Sequence, residues 1–105
     1  MEKIEINIDK ELDLLTAYIG QSSENKNTHL EVLEGPFNGN VLFHVNPKNN
    51  ELVMIQIIDF TIIKRILFKH MILLLTKDAI ITWLSTLIDS FKANKPKQNL
   101  PGYAT

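Results

Sequence analysis

The 105-residue chain contains no cysteine. That absence removes disulfides, thiolate metal centres and thiol catalysis together. Four glycines in the whole length leave no glycine-rich loop to cradle a phosphate, and no serine sits in a Gly-x-Ser-x-Gly elbow. Arg65 is the single arginine and the net charge is −1. Domains that track a phosphate backbone are strongly basic, with arginines and aromatics interleaved. The opening residues Met1-Glu2-Lys3-Ile4-Glu5 lack the positive-then-apolar order of a secretory leader, so a cytoplasmic location is expected. A spanning helix needs roughly 20 mainly apolar residues. The most apolar stretch, residues 52–75, is broken by Asp59, Lys64, Arg65 and Lys69, and no membrane contact is expected.

What is present is one domain's worth of chain with a two-sided charge distribution. Residues 1–59 hold ten Asp and Glu against four Lys, whereas residues 60–105 hold seven Lys and Arg against two Asp. Two readings fit: solvated faces that attract one another in the fold, or a basic C-terminal half that meets an acidic partner. The expected domain covers residues 1–94. Residues 95–105, with Pro96, Pro101 and Gly102, read as a flexible tail.

The hydrophobic period is 2 over the first part of the chain. Ile4, Ile6 and Ile8 alternate with Glu5, Asn7 and Asp9, the signature of a half-buried strand. Residues 12–19 supply a second strand, 20–27 a polar loop, and 28–33 a third strand. A hairpin follows, in which residues 41–45 and 51–58 flank Asn46-Pro47-Lys48-Asn49-Asn50, a proline-asparagine turn. In its second arm Val53, Ile55 and Ile57 are expected on one face and Leu52, Met54, Gln56 and Ile58 on the other. A strand apolar on both sides is a central one whose two faces need cover, one by helices and the other by a second subunit or partner.

From Asp59 the period becomes helical. Phe60, Ile63, Leu67 and Met71 fall on one stripe, opposite Thr61, Lys64, Arg65 and Lys69, with Asp59 as the expected N-cap. A second helix begins after Thr76 and carries Ile80, Ile81, Leu84, Leu87, Ile88 and Phe91 on one face. The fold class is therefore α+β: a four- or five-stranded antiparallel sheet over about residues 2–58, then two C-terminal helices, at 60–70 and 77–93. Residues 71–75 fit a helix end, a buried linker or a short strand.

Two stretches are similar to a small bacterial family of uncharacterised domains. One is the turn Asp9-Lys10-Glu11-Leu12-Asp13 with the apolar residues after it. The other is the hairpin running from Asn46 through Glu51-Leu52-Val53-Met54-Ile55-Gln56-Ile57-Ile58 to Asp59, which leads into a helix. The resemblance covers about residues 2–68. The chain departs from the pattern where Met54 replaces a glycine, Gln56 a glutamate and Asn46 an aspartate. The resemblance implies a small antiparallel sheet packed on helix, in partner proteins that include antitoxin-like members of two-gene toxin systems. It implies no catalytic activity.

Positive evidence for chemistry is sparse. Asp9, Glu11 and Asp13 occupy positions 1, 3 and 5 of a calcium loop, but Leu14 stands where glycine is required and Gly20 where the bidentate glutamate belongs. The alternative reading is a solvated turn whose acids cap backbone amides. His29, His44 and His70 have no metal spacing, and His44, alternating on a strand, reads as a surface or interface residue. No enzyme, metal or cofactor is expected.

The expected function is a non-catalytic protein-interaction module, dimeric, that binds and restrains another protein in an antitoxin-like or inhibitor-like way. Its expected contact residues are Trp83, Leu87 and Phe91, at the margin and centre of an apolar stripe, with Lys64, Arg65 and Lys69 as a charged rim. For Trp83 the competing reading is an indole folded into the monomer core. Two other functions stay open: a nucleic-acid-associated regulator using the basic half, whose binding would weaken steeply with salt, and a small-molecule-binding or enzymatic domain with a defined pocket.

Overall fold

The computed structural model describes residues 3–20 and 29–93. The expected loop beyond Gly20, the first residue of the expected third strand and the expected tail lie outside the described residues. Five strands, β1 (Ile4–Asp9), β2 (Leu14–Ile19), β3 (Glu31–Glu34), β4 (Val41–Asn46) and β5 (Glu51–Ile58), precede two helices, α1 (Phe60–Lys69) and α2 (Lys77–Ala93). Every strand pairing is antiparallel and the sheet order is β1-β2-β5-β4-β3. The expected α+β class, sheet first and two helices after it, is the one observed. The strand with two apolar faces, β5, is central as its composition requires. The chain divides into two compact units between Leu73 and Leu74.

The first unit holds the sheet and α1. On one face of the sheet Leu15, Ala17, Val41, Phe43, Ile55 and Ile57 are buried, and the register sets them side by side: Leu15 against Ile57, Ala17 and Phe43 against Ile55. The side-chain period of 2 demands this once one pair is fixed. One expectation fails here. The pairing of β4 with β5 shifts between His44 and Val45, so that His44 faces Met54 but Val45 faces Leu52. Val53 is the extra residue of a β-bulge, half-buried, and Leu52 joins the buried set at 8% exposure. A bulge exchanges the faces of all residues beyond it, and strict alternation cannot reveal one.

Side chains and strained torsions shape the turns. In the β4–β5 hairpin the Asn46 side-chain oxygen accepts from the Lys48 amide at 2.9 Å, and Asn50 takes the left-handed conformation that asparagine tolerates. In the connection before β4, a side chain at Gly35 would place its Cβ 2.7 Å from Phe43 Cε2 and 2.8 Å from the Val41 carbonyl. Asn40 then ties this connection to the end of β5, its Nδ2 donating to the Ile58 carbonyl at 2.8 Å.

The start of α1 corrects the sequence reading. Asp59 has φ 57 and ψ 51 and makes no side-chain cap bond. The cap comes from the β1–β2 turn instead. The Phe60 amide donates to the Asp13 carbonyl at 3.0 Å, and the Asp13 carboxylate accepts from the Thr61 amide and hydroxyl. Asp13, itself left-handed at φ 52, thus ends the turn, precedes β2 and caps α1. This is also why β2 begins at Leu14 rather than at residue 12.

At its other end α1 closes with a Schellman motif. The Ile72 amide donates to the Leu67 carbonyl at 2.9 Å and the Met71 amide to the Phe68 carbonyl at 3.0 Å. Met71 occupies the left-handed position, φ 68, where glycine is the usual residue. Along α1, Phe60, Ile63 and Leu67 are buried.

The second unit contains α2. Thr76 caps it as expected, its Oγ1 accepting from the Ala79 amide at 3.0 Å. Asp78 lies in the first turn and Lys92 in the last, each at the end whose helix dipole it complements. Ile80, Trp83, Leu84 and Ile88 are buried.

Candidate functional site

The contact residues expected from sequence fall into two sets, one in each unit. Trp83, Leu87 and Phe91 stand four residues apart on α2 and share one side of it. Trp83 is only 8% exposed, and Leu87 and Phe91 are half-buried. Lys64, Arg65 and Lys69 are exposed on α1. The cations therefore stand in solvent, whereas the indole is buried.

The exposed side of α1 is where the unexpected surface lies. Phe68 is 64% exposed and Met71 is 88% exposed, with Ile62 and Leu73 each close to half exposed. Phe68 is one helical turn after Lys64, and Lys69 one turn after Arg65, so Phe68 shares the exposed side of the helix with the cations. Lys64 leans back toward the helix start, its Nζ 5.2 Å from the Phe60 ring centroid, a distance at which the ring face attracts an ammonium. No acidic residue lies between Asp59 and Asp78. The end of α1 is therefore apolar at its tip and positive along its flank. Scattered single apolar residues are normal on a protein surface, but neighbouring ones at the end of one element form a patch.

The acids of the first turn have structural partners. Asp9 Oδ1 accepts from the Glu11 amide at 3.0 Å and the Leu12 amide at 3.1 Å. With Asp13 capping α1, two of the three acids of the would-be calcium loop hold backbone amides. Among the described residues no group of three or more His, Asp or Glu could hold a metal ion. His44 lies half-buried on β4, its Nε2 2.7 Å from Gln56 Oε1 across the strand pair. No helix among the described residues is long and apolar enough to cross a membrane.

Sequence reasoning passed over Phe68 and Met71, which counted as a widening and an end of the buried stripe. The available signal was the position of Phe68 between Lys64 and His70 in a run without acids. Tryptophan is common at interfaces, yet its large apolar area also favours burial, as at Trp83. No family model, curated protein or solved structure matches the chain.

Proposed function

We propose that this chain is a non-catalytic protein-interaction module that binds and restrains another protein through the end of α1. The observation that carries this is Met71, an apolar side chain 88% exposed at a backbone position that favours glycine. A methionine held there is strained and left in water, and strain retained in a fold concentrates at functional sites. Phe68 beside it supplies a rigid aromatic anchor, and Lys64, Arg65 and Lys69 supply a cationic rim. An apolar centre within a charged rim is the usual anatomy of a protein-binding patch. The partner has the complementary chemistry: an apolar depression bordered by acids. Blocking such a partner by occupancy is the antitoxin-like or inhibitor-like action that the resemblance of residues 2–68 suggests.

Affinity capture from cells that produce the chain, with wild type and a Phe68→Glu/Met71→Glu variant as baits, tests the reading. A partner identified by mass spectrometry and then purified is expected to bind the wild type and to bind the variant at least about tenfold more weakly. The rim predicts that raising salt slows association. Equal affinity for both baits overturns the assignment.

The acid-free run also keeps the second reading open, a nucleic-acid-associated regulator. It requires a mobility shift with nucleic acid that fades steeply with salt and depends on Lys64, Arg65 and Lys69. Phe68 and Met71 would then matter little.

A further inference from the structure

The face of the sheet opposite its buried side is a second surface, independent of α1. On the central strands it presents Tyr18, Met54, Gln56, Leu42, His44 and Ile58, whereas Thr16 on the same face is buried at 7% exposure. Tyr18 is 48% and Ile58 41% exposed, and Leu42, His44, Met54 and Gln56 are half-buried. None of these is a carboxylate, a lysine or an arginine. Asp, Glu and Lys appear on this face only at its perimeter: Lys3, Glu5 and Asp9 along the β1 edge, Glu34 on the β3 edge, and Glu51 at the hairpin end. Lys3 and Glu5 already pair with each other at 3.6 Å.

We infer that this face docks on the same face of a second copy of the chain. A two-fold interface sets each patch against itself, so its polar groups must be self-complementary. The Tyr18 hydroxyl both donates and accepts, and the Gln56 oxygen is already paired with His44 Nε2 at 2.7 Å within one copy, so neither demands a partner of one fixed polarity. A centre made of carboxylates or of ammonium groups alone would repel its own copy. The distribution of charge, absent at the centre and present at the rim, is that of an interface core.

The size agrees in order of magnitude. Five strands about 4.8 Å apart and about 20 Å long give a footprint of roughly 480 Å². The accessible surface of a face studded with side chains exceeds its footprint, against the ~800 Å² per partner of a standard interface. Facing sheets also cross at an angle because both are twisted, which offsets the acidic edges of the two copies. The expected dimer is concentration-dependent rather than obligate.

Sedimentation equilibrium from about 1 μM to about 1 mM tests this, using wild type, Tyr18→Glu, Ile58→Glu and Phe68→Glu. The two sheet positions are exposed enough to accept a charge without unfolding, and circular dichroism verifies each fold. Wild type and Phe68→Glu are expected to dimerise alike, whereas Tyr18→Glu and Ile58→Glu weaken the dimer at least about tenfold. A wild type that stays monomeric throughout overturns the inference. So does a dimer that survives both sheet variants. If Phe68→Glu alone breaks it, self-association belongs to the end of α1, and the separate partner proposed for that end loses its support as well.

Discussion

The Asp13 carboxylate accepts both the backbone amide and the hydroxyl of Thr61, the amide at 3.1 Å and the hydroxyl at 2.8 Å. One side chain thereby fastens the turn between the first two strands to the helix that follows the last. The bonds are long-range, and the residue that precedes the helix in sequence, Asp59, makes no side-chain cap bond.

Replacing Asp13 by alanine is expected to lower stability by about 1–2 kcal/mol, the range of a lost helix cap. The left-handed torsion of Asp13 adds to the loss, since alanine tolerates it less well. Asp59→Gly should leave stability unchanged or raise it, because no cap is lost and a left-handed residue is relieved. Urea denaturation of the two variants separates the cases. A larger loss at Asp59 than at Asp13 would refute the assignment of the cap.

Met71→Gly should stabilise the fold by about 0.5 kcal/mol. Relief of the left-handed strain, about 1–2 kcal/mol, is partly offset by the greater freedom of glycine in the unfolded chain, about 0.4–1 kcal/mol. The same variant should bind the α1 partner less tightly. A thermal melt and a binding titration on one preparation check the two opposite signs.

Deleting Val53 should be tolerated, with a loss below about 3 kcal/mol. Removal of the bulge residue leaves Leu52 facing Val45 and keeps it on the buried side with Ile55 and Ile57. Deleting Gln56 instead reverses the faces of the rest of β5 and should abolish folding. Amide exchange protection in β4 and β5 distinguishes the outcomes.

Gly35→Ala should destabilise by about 1–3 kcal/mol, the cost of overpacking. The new Cβ would meet both the Phe43 ring and the Val41 carbonyl, and only the ring can turn aside. The readout is the midpoint of denaturant unfolding.

Trp83→Ala should cost about 3–5 kcal/mol, as truncation of a buried aromatic does. Any loss of binding in that variant must be compared with its folded fraction. Phe68→Ala, at a mostly exposed site, should change stability by under about 0.5 kcal/mol.

These contrasts mark how far the sequence could be read. Strands with clean alternation, such as Ile4–Asp9, and helices with capped starts, such as that after Thr76, are local events that a short window contains. The sheet class and the central place of β5 follow from them. The bulge at Val53 and the cap from Asp13 depend on residues distant in the chain, so no window shows them. The surface was the least legible. Met71 continues the apolar stripe of Phe60, Ile63 and Leu67, and only the end of the helix, set by the turn at Met71, leaves it in solvent. Phe68, one turn after Lys64, falls on the opposite side, where an apolar residue reads simply as a wider stripe.

The strand order has a consequence for the chain as it is being made. The first hairpin leaves the ribosome complete, but the neighbour it requires is β5: Tyr18 waits for Met54, and Leu14 for Ile58. An isolated two-stranded hairpin is marginally stable at best in water. Until β5 emerges, Leu15, Ala17 and Ile19 belong to a nascent segment with an unpaired edge and no core to enter. Translation speed between the two hairpins, and any chaperone that reaches the chain in that interval, therefore bear on its yield.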